Sequence, residues 1–139
     1  MAVKANHDIS SGLDTAFINS AINSNLAYRP EFVSNDYTQG KKVSVAIERE
    51  LRHCDAFYIS VAFITEGGLA PLKQVLAELR DKGIPGKILT TSYLTFTEPK
   101  ALKTLADLSN VEVRVYDSTD EGASGFHTKG YIFKEEEIY

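Results

Sequence analysis

The segment Phe126-His127-Thr128-Lys129-Gly130-Tyr131 holds the side chains best suited to chemistry. In an extended chain, residues two apart share a face, so His127 and Lys129 are expected to point together. An imidazole beside an ammonium suits a phosphodiester. A neutral imidazole attacks phosphorus to form a phosphohistidine, and the lysine neutralises the non-bridging oxygens as negative charge builds in the transition state. That scheme calls for no metal and no cofactor. Spacing alone also fits a surface pair or a hydrogen-bonded core histidine, so the elements around the segment have to be read with it.

The other candidates are less specific. His53 follows a helical pattern and reads as a carboxyl-terminal helix residue that favours the local dipole, while His7 lies in a polar lead-in. With three scattered histidines and one cysteine, a metal site is not expected. Thr65-Glu66-Gly67-Gly68 stands at a strand-to-helix turn, where the backbone of Thr65 and Gly67 could meet a phosphate, although an ordinary tight turn explains it too. Thr91 and Tyr93 follow a later strand, whose carboxyl end would border a ligand crevice in a parallel sheet. Neither a G-x-x-x-x-G-K-[ST] loop nor a G-x-G-x-x-G loop is present.

Hydrophobic periodicity supplies the scaffold. Leu13, Phe17, Ile18, Ala21 and Ile22 predict a first helix after a loose start. An irregular stretch over 23–40 follows, in which Tyr28, Phe32 and Tyr37 are expected to fasten the chain. Val43, Ala46, Ile47 and Leu51 form the stripe of an amphipathic helix over 41–53. The run 56–64 is apolar on both alternating faces and predicts a central strand covered on both sides. Leu69, Leu72, Val75, Leu76 and Leu79 mark a helix ending at Gly83, and a strand over 87–91 comes next. Pro99 opens a helix lined by Leu102, Leu105 and Leu108, then Val111, Val113 and Val115 alternate as a strand. A polar loop over 117–125 leads into a last strand carrying Tyr131, Ile132 and Phe133. This alternation predicts an α/β class with a largely parallel sheet.

Composition narrows the function. The chain has 139 residues, 43% hydrophobic and 24% charged, as an ordinary globular domain has. Cys54 stands alone, which excludes an internal disulfide and suits a reducing, cytoplasmic setting. The first residues lack the basic start and apolar middle of a secretory signal. The longest apolar run is also far shorter than the ~20 residues of a membrane-spanning helix. A net charge of −4 withholds the overall basic footprint of many nucleic-acid binders, so any steering has to be local. The acidic run Glu135, Glu136 and Glu137 reads as solvated surface.

Several phrases in order carry a resemblance over residues 26–139. They are Tyr28-Arg29-Pro30, Ser34-Asn35-Asp36-Tyr37, Ile59-Ser60-Val61-Ala62-Phe63-Ile64-Thr65, Gly86-Lys87-Ile88-Leu89-Thr90-Thr91, Leu94-Thr95-Phe96, Pro99-Lys100-Ala101-Leu102 and Gly125-Phe126-His127-Thr128-Lys129-Gly130-Tyr131. Together they resemble the phospholipase D superfamily, in particular the nuclease-type domains that precede bacterial helicases of the DEAD or restriction-enzyme type. The resemblance implies a phospholipase D-like α/β/α sandwich over 26–139, incomplete at its carboxyl end, after a lead-in and helix over 1–25. It implies a nuclease-type phosphodiesterase in which His127 is the nucleophile, Lys129 binds phosphate and a second histidine protonates the leaving oxygen. A single copy of the motif implies a homodimer that completes the site, and the likeness to helicase-linked domains implies nucleic acid as substrate and a helicase domain in the same longer chain; with no membrane-binding stretch visible, no membrane is expected. Lys134 stands where the family signature has Asp, removing a carboxylate expected to support the histidine and adding positive charge to the site. No Gly-Ser-x-Asn segment follows, so these residues read as the inactive amino-terminal piece of a longer enzyme. The alternative is a catalytically weak module that binds nucleic acid or a partner and targets a helicase.

Overall fold

The computed structural model describes residues 33–117 and 126–135, together with His7 and Ser10. The predicted first helix over 13–22, Tyr28, Phe32, most of the loop over 117–125 and residues 136–139 lie outside the described residues. The chain divides into two compact units, Met1–Lys41 and Lys42–Tyr139. In the first, Asp36 and Lys41 form an antiparallel bridge around Gly40, whose φ of +68° suits a residue without Cβ. The Asp36 carboxylate accepts from the Thr38 hydroxyl at 2.6 Å and from the Thr38 and Gln39 N–H groups, an Asx-type turn that lowers its pKa, the Thr38 side chain first. Tyr37 is exposed there.

The second unit is an α/β fold built on one mixed four-stranded sheet. Helix α1 (Val43–His53) precedes strand β1 (Ala56–Val61). A short turn of helix α2 (Glu66–Leu69) runs through 3-10 geometry at Ala70–Leu72 into α3 (Lys73–Asp81). Then come β2 (Gly86–Thr91), α4 (Pro99–Ala106), β3 (Val111–Tyr116) and β4 (Lys129–Lys134). The sheet order is β3-β2-β1-β4, with β1, β2 and β3 parallel and β4 antiparallel to β1. The strand read from 56–64 is therefore an inner one, as expected, but shorter.

Alternation decides what each strand contributes. Phe57, Ile59 and Val61 project from β1 to one face, joined in register by Ile88, Val113 and Phe133. Leu51 of α1, Val75, Leu76 and Leu79 of α3, and Ala101 and Leu105 of α4 pack into the same cluster. Each such side chain contributes roughly 1.5–3 kcal/mol when withdrawn from water. Phe57 is fully buried, and its ring lies so close under Gly86 that a Cβ there would sit 2.1 Å from Phe57 Cζ. Gly86 is thus required by close approach. Gly83, with φ +70°, ends α3 and lets Ile84 N–H reach Leu79 O at 2.9 Å.

The opposite face corrects an expectation. Tyr58 (42% exposed), Leu89 (38%) and Ile132 (66%) stand open to solvent, among the exposed charges of Lys87, Glu112 and Arg114. Among the described residues, then, helices cover one face of the sheet, not both as the apolar run over 56–64 predicts. Aromatic and β-branched side chains favour a strand whether or not their outer face is covered, so composition did not reveal the open side.

Candidate functional site

The site forms where β4 runs beside the carboxyl end of β1. Lys129 pairs with Val61, and the antiparallel ladder continues one step further through Ala62 N–H to Thr128 O at 3.0 Å. His127 therefore stays next to β1 although it precedes β4. Thr128 turns to the open face, where its hydroxyl meets Ser60 Oγ at 3.2 Å. His127 and Lys129 turn the other way, and both reach the ring of Phe63: the imidazole centroid lies 6.3 Å from it and Lys129 Nζ 5.5 Å. The ammonium is held over an aromatic face, a contact that attracts a cation without neutralising it. Among the described residues no carboxylate forms an ion pair with Lys129. Both side chains are exposed.

Aromatic rings extend from this point. Phe96 meets Phe63 edge-on at 5.9 Å, and Tyr93 meets Phe96 at 6.5 Å, while Phe126 lies 6.0 Å from Tyr116. Phe63, Thr65 and Tyr131 also border a pocket of about 170 Å³ between the sheet and helices α2 and α3, lined by Val61, Leu69, Leu72 and Leu76. Burial there raises the Tyr131 phenol above its ordinary pKa.

The remaining candidates take other positions. Thr65 caps α2, its hydroxyl accepting from Gly68 N–H at 3.0 Å, and the Glu98 carboxylate accepts from Glu66 N–H at 2.6 Å. The start of α2 is thus met by side chains of the protein itself, with Gly67 exposed beside it. Thr91 is fully buried; its hydroxyl donates to Ala62 O at 2.8 Å and accepts from Tyr93 N–H at 3.0 Å. It ties the carboxyl ends of β1 and β2 together and anchors the Tyr93 loop. His53 is exposed at the end of α1, its Nδ1 2.7 Å from Arg49 O, at the opposite end of β1 from His127. His7 is exposed as well.

Lys134 requires a correction. It pairs with Ala56 at the amino end of β1, five residues along β4 from Lys129, a separation of about 17 Å at ordinary strand rise. It adds no charge beside His127, and a carboxylate at its position would not reach the imidazole. The spacing of the motif does not show that Lys134 meets the amino end of β1 while Lys129 meets its carboxyl end. Phe63 and Phe96 were not among the candidate residues. Phe63 was detectable, since it continues the alternation of Phe57, Ile59 and Val61 beyond the strand end. Phe96 was not, because its approach to Phe63 joins separate loops.

Among the described residues no group of three or more His, Cys, Asp or Glu side chains is placed to hold a metal ion, and no helix is long and apolar enough to cross a membrane. No protein-family model matches the chain, and no curated protein matches it.

Proposed function

We propose that Lys42–Tyr139 provides half of a phosphodiesterase site for nucleic acid, with His127 as nucleophile and Lys129 as the phosphate-binding cation. The observation that carries this reading is the meeting of both side chains on one ring, Phe63, at the exposed carboxyl end of the parallel strands β1 and β2. A phosphodiester there has an imidazole for attack and, for its non-bridging oxygens, an ammonium that no carboxylate among the described residues neutralises. Attack by a His127 nitrogen forms the N–P bond as the P–O bond to the leaving nucleoside breaks; water then cleaves the phosphohistidine and regenerates the imidazole. The departing oxygen needs a proton, and His53 stands at the far end of β1. We read a second copy of the chain as the source of the other histidine, in a two-fold dimer, as the resemblance to single-motif phospholipase D-like enzymes implies.

On this reading the sheet belongs to a phospholipase D-like α/β/α sandwich, whose second helical layer would cover Tyr58, Leu89 and Ile132. The domain would serve a longer helicase or restriction-type protein in the cytoplasm. The test is cleavage of labelled single-stranded and duplex DNA in EDTA by the full-length protein and by His127→Ala. Loss of cleavage in the variant is expected, and equal cleavage by both proteins would remove the nucleophile. A second reading, a binding module without turnover that targets a helicase, is favoured by the position of His53, the other histidine of Lys42–Tyr139, at the far end of β1 from His127. Under it both proteins bind DNA and neither cleaves.

A further inference from the structure

Phe63, Phe96 and Tyr93 form a row of rings beside the phosphate-binding pair that phosphoryl chemistry alone does not require. They are 38%, 52% and 42% exposed, so the row is laid on the surface and not folded into the core. Its backbone is also set with care. Thr95, between the two loop aromatics, has φ +57°, a conformation that β-branched residues rarely adopt. The loop is fastened on both sides: Tyr93 N–H donates to Thr91 Oγ1, and Thr97 Oγ1 donates to Thr91 O at 2.8 Å. A rare backbone conformation held through the buried Thr91, with the rings left in water, fits a surface shaped for a ligand.

We infer that this row is a stacking platform for unpaired bases, and that the site takes single-stranded nucleic acid in preference to duplex. The inference rests on the phosphodiester reading of His127 and Lys129. Phe63 belongs to both features, so a base stacked on Phe96 lies one ring away from the Lys129 ammonium that would meet its phosphate, and Tyr93 extends the row by one ring more. Bases in a duplex keep their faces against one another, whereas every unpaired base offers a π-face to an aromatic ring. Charge points the same way. Duplex binding draws on many phosphate contacts and the counterions they release, and a chain of net charge −4 has little of that to offer.

The test is fluorescence anisotropy in EDTA with the full chain and three labelled probes of equal length: a thymidine strand, an abasic strand with the same phosphodiesters, and a duplex. The thymidine strand is expected to bind tightest. Phe96→Ala should weaken it about tenfold, equivalent to about 1.4 kcal/mol, and leave the abasic strand unchanged. Tyr93→Ala should act in the same sense, Tyr93→Phe should restore affinity, and circular dichroism would check that each variant folds. Equal affinity for the thymidine and abasic strands, a duplex bound as tightly as either, or a Phe96→Ala variant that binds like the parent would overturn the platform; the last result would assign the rings to a protein partner. In those cases a loss of abasic-strand binding in Lys129→Ala would still uphold the phosphate site. If none of the probes binds, both readings fall.

Discussion

The two ends of the sheet are built to different standards. At the amino end of β1 and β2, Phe57 lies under Gly86 with no room for one more carbon, and Leu51 and Leu79 are buried in the same cluster. At the carboxyl end, His127, Lys129, Phe63 and Phe96 stand in water, above a base in which Ala62 and Ile64 are buried and the buried hydroxyls of Thr90 and Thr91 hold the loops. Dense packing allows these side chains a single arrangement. Loops fastened from beneath can hold side chains in place and keep them accessible. Stability is therefore expected to reside at one end and chemistry at the other.

The largest effect should come from His127→Ala in the full-length protein. Loss of the nucleophile is expected to lower cleavage by about a thousandfold or more. Because the side chain is exposed, the urea midpoint should move little, within about 0.5 kcal/mol. A large fall in stability would mean that the imidazole holds the fold together, and the contrast between the ends would fail. Phe57→Ala should do the reverse, costing about 3–5 kcal/mol in urea unfolding. Below its melting range it should keep DNA binding at the far edge. Gly86→Ala forces a methyl group against the buried Phe57 ring and should cost about 1–3 kcal/mol, with partial recovery in the Phe57→Leu background.

Thr91→Val sharpens the comparison, because the residue is as buried as Phe57 but belongs to the open end. It leaves Ala62 O and Tyr93 N–H without their partner, and a loss of about 1–3 kcal/mol is expected. Hydrogen exchange should quicken at Tyr93 and Phe96 before it does at Phe57. The smallest effect concerns Glu66. The Lys100 hydrogen bond at 3.0 Å, followed by the charges of Lys100 and Lys73, holds its carboxyl below the usual value. A depressed carboxyl pKa stabilises the folded state above the unfolded-state value, and that contribution disappears as pH falls through the folded value. Glu66→Gln should therefore narrow the gap to the parent protein in acid and differ from it at neutral pH, by a small margin because the pair is exposed.

Much of the scaffold was legible because local patterns and tertiary packing agree in it. Val43, Ala46, Ile47 and Leu51 mark α1, and Pro99 opens α4 where expected. Gly83 closes α3, and the alternation of Val111 and Val113 marks β3. The common face of His127 and Lys129 was legible as well, since the twofold period of an extended chain continues past the end of β4. What escaped the reading depends on distance through space. The open face of the sheet is one example, because Tyr58 and Phe57 look alike as strand residues and only the layout of the helices tells them apart. Lys134 is another.

The order of side chains along this chain determined its elements and paired an imidazole with an ammonium, because both follow from short-range periodicity. Tertiary structure alone decided that β4 runs antiparallel to β1, that this brings Phe63 beneath both groups, and that Phe96 and Tyr93 extend the row. The contacts of Phe63 with Phe96, His127 and Lys129 join residues more than thirty positions apart. Their formation depends on how the sheet is ordered, which no local window of residues contains.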